Sequence, residues 1–373
     1  MPGRSNRSTV SQAQWIDSPG RLQEWVDRHA STAHAIGMDT EFVRESTFFP
    51  KLALIQMAVA TDVALVDPLA FAPTVIEGWL GQSTGAVLMH SASEDIEALR
   101  TLLPEGPPRL FDTQIAAAFV GLGAGVGYQK LVAALLAIDL PKDVTRSDWT
   151  RRPLSDAQHA YAVQDVVHLA VLHDQLTARL HARGYFEWFV EDCARLARRA
   201  QSAADLQPQL GLRGAASWPL AAIARLRDLL LWREAAARRH DVPRGWLLRD
   251  EHCIDLALDP PADAATLEAR TRGQRSLRHA LRMELWSHLQ QRLDDDFVRA
   301  TLRPDEPLKG ARRHAFDAMR ALVDAEAARL DLPPGLLCPR RALERYIAAR
   351  EWPAELDGWR RGVLEPALAP LLD

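Results

Sequence analysis

The sequence predicts an α/β layer architecture, a mixed sheet flanked by helices, followed by two all-α helical bundles. Three observations carry this. Between residues 33 and 67 three β-patterned runs follow one another, "AIGMDTEFV", "KLALIQMAV" and "VALVD", with "ATD" turning the second into the third. Strand and helix then alternate, the pattern of a layered α/β or α+β domain. After roughly residue 200 strand signals fade, and Ala, Leu and Arg recur at helical spacing.

In order, "FAPTVIEGWLG" reads as a helix and "GAVLMHS" as a buried strand. "SEDIEALRTLL" reads as a helix with Ser93 as its N-cap. The chain is then mostly helical to about residue 200, and Ser155 caps the helix that contains Asp165. Further on, "EAAARRHDVPRGWLL" (234–248) aligns without gaps to "DAEAARLDLPPGLL" (324–337), an offset of ninety residues. Pro243, Gly245 and Leu247 match Pro333, Gly335 and Leu337. Each copy is a helix, a Pro-Gly break and another helix. Two copies are too few for a solenoid, so two small helical bundles are expected. The expected domains are 1–203, 210–292 and 300–373, with "QSAADLQPQLGLRG" and "RATLRPDEPLKG" as linkers.

Composition narrows the class. The 373 residues suit two or three domains; 47% are hydrophobic and 25% charged, as in soluble proteins. The net charge of −4 advertises no global nucleic-acid affinity. Cys193, Cys253 and Cys338 are too widely spaced for a disulfide framework or a zinc site, which points to a reducing cytoplasm. The N-terminal "MPGRSNRSTVSQ" lacks the apolar stretch of a signal peptide. The 17-residue uncharged run "TQIAAAFVGLGAGVGYQ" holds four glycines and reads as helix and loop, not a membrane span.

The carboxylates are the sharper signal. Asp39 and Glu41 lie two apart on a buried strand and so share a face, where they repel each other and lose solvent. Asp95 opens the helix after the next core strand, a place that favours an acid in any case. Asp165 lies in the apolar run of a later helix, with Tyr161 four residues earlier on the same face. That last pair fits a simple Tyr–Asp hydrogen bond at the core edge as well as a catalytic arrangement. Taken together, four acids on three elements can converge, and hard divalent cations such as Mg²⁺ or Mn²⁺ prefer carboxylate oxygen. Two such ions are the usual engine of phosphodiester cleavage.

The segments "GMDTEFVRESTFFPKLALIQMA", "MHSASEDIEAL" and "YAVQDVVHLAVLHDQL" resemble the three exonuclease motifs of the DEDD superfamily, in its DEDDy branch. "RLFDTQIAAAF" and "TRSDWTRRPLSDAQ" are similar to bacterial ribonuclease D, and the two C-terminal repeats resemble HRDC domains. The resemblance runs over nearly the whole chain, in order. It implies a ribonuclease-H-like first domain and a 3′→5′ exoribonuclease that trims precursor tRNA 3′ ends and releases 5′-mononucleotides. It implies that Asp39, Glu41, Asp95 and Asp165 hold two divalent ions, Mg²⁺ or Mn²⁺, and that Tyr161 orients or deprotonates the attacking water. A cytoplasmic monomer with RNA as its partner, no obligate protein partner and no membrane association is expected.

Other signals weigh less. "GLGAGVG" (121–127) lacks the G-x-G-x-x-G register of a phosphate loop. Phe48 and Phe49 suit base stacking or, for at least one of them, core packing. His90 reads as a satisfied histidine beside the site rather than a ligand. Residues 213–250 hold eight arginines against four acids; Arg225, Arg227, Arg233, Arg238, Arg239 and Arg244 suit either phosphate tracking or a solvated helix surface. The same four acids would serve a DNA exonuclease, and a non-catalytic RNA-binding scaffold is the alternative from another class.

Overall fold

The computed structural model describes residues 13–30, 33–141, 147–201, 205–304 and 308–372. The N-terminal segment read as lacking a signal peptide, part of each expected linker and the start of "TRSDWTRRPLSDAQ" lie outside the described residues. The described residues fall into two compact units, one drawn from 1–43, 51–202 and 311–373, the other from 44–50 and 203–310. Among them no helix is long and apolar enough to cross a membrane.

The first unit is built on a six-stranded mixed sheet of order β1-β4-β3-β2-β5-β6. The strands are β1 (Gln14–Ile16), β2 (Ile36–Val43), β3 (Lys51–Val59), β4 (Asp62–Val66), β5 (Val87–Met89) and β6 (Leu110–Asp112). The expected meander is present: β2 pairs antiparallel with β3, and β3 with β4. β1, β5 and β6 add parallel pairings. β1 and β6 were not expected, because three residues are too few to show alternation. β3 is buried without interruption from Ala53 to Val59, which is why it reads as a solid apolar run.

Helices α1 (Pro19–Arg28), α2 (Val75–Gln82), α3 (Ser93–Ala98), α4 (Thr113–Phe119), α5 (Tyr128–Leu136), α6 (Asp156–Val167), α7 (Leu169–Arg183) and α8 (Phe186–Gln201) surround the sheet's connections. Ser155 caps α6 in a full capping box with Gln158, as its position predicts. Ser93 does not cap α3; it is the first helical residue, and Ala92 takes the cap position without a side-chain bond. Arg152 clamps the approach to α6, donating to both carboxylate oxygens of Asp67 and to the Ala53 carbonyl at 2.7 Å each. Gly37 in β2 lets the α6–α7 junction come close, since a Cβ there would stand 3.1 Å from the Val166 carbonyl oxygen.

The second unit comprises α9 (Leu220–His240), α10 (Arg244–Leu247), α11 (Asp250–Leu258), α12 (Ala264–Arg270), α13 (His279–Leu289) and α14 (Asp295–Arg299). Its core includes Leu226, Leu229, Leu247, Leu256 and Leu285, joined by Phe48. Asp241 accepts the backbone N–H groups of Phe48 and Phe49 at 3.0 Å each.

The first unit also contains α15 (Gly310–Leu330), α16 (Pro334–Leu337), α17 (Arg340–Ala349) and α18 (Trp359–Leu368). The ninety-residue repeat is faithful: α9 and α15 each run 21 residues. Each is followed by a left-handed aspartate, Asp241 (φ 47°) and Asp331 (φ 50°), then a proline and one helical turn. Residues 311–373 join the sheet's unit through a buried ion pair. Arg360 donates to the two oxygens of Asp192 at 2.5 and 2.6 Å, and each residue is 7% exposed. Trp359 also donates to Asp192, and its ring stacks on Trp188 with centroids 4.5 Å apart. Removing one partner of a buried pair strands the other's charge. Arg360→Ala should therefore cost about 3–5 kcal/mol of stability, read as a lower urea midpoint of the full chain. An unchanged midpoint would show the pair contributes nothing to this packing.

Candidate active site

The strand period puts Asp39 and Glu41 on one face of β2, and both are half-buried. Across the ladder Asp39 is paired with Gln56, so Gln56 faces the same side. Asp95 is buried in the first turn of α3, and Thr40 donates its hydroxyl to it at 2.6 Å. Asp165 lies in the last turn of α6, which the Ser155 cap and the Arg152 clamp hold against the strands. One oxygen each of Asp39, Glu41 and Asp165 lies within 4.8 Å of the other two. Asp95 stands outside that trio, with one oxygen committed to Thr40, yet its charge is felt by Asp39, Glu41 and Asp165.

Electrostatics matches the geometry. Burial, then repulsion from Asp95, Asp165 and Glu41, holds Asp39 well above the usual carboxyl range. Burial and the charges of Asp165 and Asp95 push Glu41 up to about 8. Burial and Asp95 push Asp165 up to about 7, against a lowering hydrogen bond from Tyr161. Burial raises Asp95 to about 6, opposed by the bond from Thr40. Tyr161 is raised too, by burial and by Asp165, Glu41 and Asp39, so it keeps its proton at neutral pH and acts as a donor.

The residues fit a divalent metal. Oxygen ligands converge from three carboxylates, and Oδ2 of Asp165 is buried with no partner among the described residues. Nothing positive in the described site offsets the charge, so a cation is the natural counterpart.

The other expected residues are placed as follows. Phe48 packs in the helical core, with Arg238 and Arg244 over its ring, while Phe49 is 41% exposed. Nδ1 of His90 bonds the Thr113 hydroxyl at 2.8 Å, but its Nε2 has no hydrogen-bond partner among the described residues. The 121–127 loop holds Gly121, Gly123 and Gly125 at positive φ, a conformational use of glycine rather than a phosphate cradle. The six arginines are engaged within the helical unit. Arg227 is buried and donates to the Leu206 and Phe297 carbonyls and to Thr301. Arg225 donates to the Ala257 carbonyl, and Arg233 to Leu248 and Asp250. Arg238 and Arg244 share Glu234, and Arg239 pairs with Glu284. Arg225, Arg227 and Arg233 thus serve the helical fold, which local charge counting does not reveal. Sequence reasoning missed Gln56, whose buried amide has no hydrogen-bond partner among the described residues. Its position opposite Asp39 was readable only once the strand register was known.

A family model described as a 3′-5′ exonuclease matches residues 13–181, and an HRDC domain model matches 222–282. Ribonuclease D of Xanthomonas oryzae pv. oryzae is 40% identical over 96% of this chain and 98% of its own. Ribonuclease D of Pseudomonas paraeruginosa is 33% identical over 98% and 99%. The crystal structure of Escherichia coli RNase D, described as an exoribonuclease involved in structured RNA processing, superposes with a TM-score of 0.82. It is 26% identical and covers 96% of this chain and 98% of that one.

The raised carboxyls predict a pH dependence. A carboxyl whose folded pKa exceeds its unfolded value binds more protons folded than unfolded, so its contribution to stability falls as pH rises. The window runs from the ordinary carboxyl range up to about 8, the value for Glu41. Metal-free protein should therefore lose more melting temperature between acid and alkaline pH than Asp39→Asn, which removes one repelling charge. Added Mg²⁺ should restore the wild type at alkaline pH, and near neutral pH its binding should release protons. Parallel melting profiles for the two proteins would mean that these carboxylates do not share a site.

Proposed function

The chain belongs to the ribonuclease D family and is a 3′→5′ exoribonuclease that uses divalent metal, and on that premise we propose that it trims the 3′ ends of precursor tRNAs and other small structured RNAs, releasing 5′-mononucleotides. The observation that carries the catalytic reading is the convergence of Asp39, Glu41 and Asp165, with Asp95 tethered beside them by Thr40. In this reading Asp39, Glu41, Asp95 and Asp165 are the ligands of two ions, Mg²⁺ or Mn²⁺. When bound, such ions lower the pKa of water and stabilise a leaving oxygen.

The chain's own groups do the rest. The Tyr161 hydroxyl, kept protonated and bonded to Asp165, holds the attacking water in line with the terminal phosphorus. Attack on phosphorus breaks its bond to the 3′ oxygen of the penultimate nucleotide. The terminal nucleotide leaves with its 5′ phosphate, and the penultimate one regains a 3′ hydroxyl. Trp149, buried against Tyr161 at 6.0 Å between centroids, keeps the phenol in place.

The C-terminal bundle is read as a second HRDC-like domain, supported by its helix, left-handed aspartate, proline and one-turn helix in register with the first copy. If the HRDC surface tracks phosphates, Arg239 and Arg244 are the exposed candidates of the six. A cytoplasmic monomer completes the proposal.

Two measurements test it. End-labelled linear RNA should be shortened from its 3′ end in Mg²⁺ or Mn²⁺ and not in EDTA, while circular RNA survives; cut circles would mean an endonuclease. Tyr161→Phe removes one oxygen, so folding and metal binding should persist while single-turnover rate falls about 10²–10⁴-fold. A destabilised variant with a normal rate would reduce Tyr161 to a structural hydrogen bond of about 1 kcal/mol.

A further inference from the structure

Helices α6 and α7 follow one another with a single residue, His168, between them. In an unbroken helix the His168 amide would donate to the Gln164 carbonyl four residues back. Another group occupies that position. The Tyr128 hydroxyl donates to the Gln164 carbonyl oxygen at 3.0 Å, while the His168 N–H turns to the Val166 carbonyl. A side chain inserted into the ladder is a recognised cause of a helix kink. Here it falls one turn after Asp165.

The tyrosine is well supported for this task. It opens α5 directly after the glycine loop, and its ring meets His90 edge-on, with centroids 5.5 Å apart. His90 is in turn held by Thr113. Burial and the nearby charges of Asp165 and Asp39 keep the hydroxyl protonated, so it remains a donor to Gln164. The segment that follows Asp165 seats on β2 at Gly37, two residues from Asp39.

We infer that Tyr128 is a positioning residue: its hydroxyl, seated on the Gln164 carbonyl oxygen where the His168 amide would otherwise bond, holds open the helix break that aims Asp165 at Asp39 and Glu41. It acts through the backbone, because its hydroxyl proton is spent on the Gln164 carbonyl. The inference rests on Asp165 being a metal ligand.

The test is calorimetric binding of Mn²⁺ alone to the full chain, with hydrogen exchange at the His168 amide and melting temperature measured on the same samples. Tyr128→Phe keeps the ring and loses the wedge, so the helix bond can close. Mn²⁺ affinity should fall about 10–100-fold, the usual cost of losing a group that orients a ligand, while the melting temperature stays close to wild type. Adding His168→Pro removes the amide and keeps the helix broken without the hydroxyl, so it should return most of the affinity. Unaltered affinity in Tyr128→Phe, or no recovery with the proline, overturns the inference. Should Tyr128→Phe fold poorly, the double variant is compared with His168→Pro alone, and a weaker double variant overturns it equally. Asp165→Asn separates the premise from the inference: if that variant binds Mn²⁺ like wild type, the ligand reading itself has failed.

Discussion

Four carboxylates held within repelling reach of one another, largely out of water, are the constraint to which the sheet-bearing unit answers. Such a cluster pushes itself apart, and a flexible support would let it relax outward. The supports are correspondingly stiff. β2 is hydrogen-bonded on both sides, to β3 and to β5. Asp95 is tied to that strand by the Thr40 hydroxyl. The helix that brings Asp165 starts from a capping box and from a loop whose Arg152 grips Asp67 and the backbone of β3. Gly37 spares the helix a Cβ that would press to 3.1 Å from the Val166 carbonyl oxygen. Each device brings an acid inward, against its own electrostatics.

The same constraint separates the roles. With Glu41 raised to about 8 and Asp165 to about 7, the metal-free cluster is partly protonated at neutral pH. If these oxygens hold a metal as proposed, cation and protons compete for one set of atoms. The tyrosines are raised by the same charges and stay neutral. Neutral phenols supply direction without adding to the repulsion. Tyr161 directs toward Asp165 and Tyr128 toward the backbone behind it.

Much of the site was legible in the sequence because its signals are local. Asp39 and Glu41 two apart on a strand, and Tyr161 and Asp165 four apart on a helix, follow from the two backbone periods alone. The meander was legible for the same reason. The parts that were not legible depend on distant partners or on very short elements. β1 and β6, three residues each, are defined by their neighbours in the sheet. The Ser93 hydroxyl looked like a cap, but the helix begins one residue earlier than that role needs. For the arginines of α9 the sequence left phosphate tracking and a solvated surface both open, because charge counting cannot see that Glu234, Glu284 and several carbonyls engage them. Tyr128 gave no signal, since its partner carbonyl is 36 residues away.

The ninety-residue repeat shows where local grammar ends. Both copies spell a long helix, a left-handed aspartate, a proline and a single turn, all of it set by neighbours in sequence. The aspartate at the matched position then does different work in each. Asp241 accepts two amides from a segment 193 and 192 residues away, and Phe48 from that segment fills the first bundle's own core. Asp331 receives Arg183, 148 residues away, and its bundle is bound into the sheet's unit by Arg360 and Trp359 on Asp192. Each left-handed aspartate accepts from a donor distant in sequence. Which donor it receives is decided by the packing of the remaining chain, and two copies with one turn motif therefore end in different compact units.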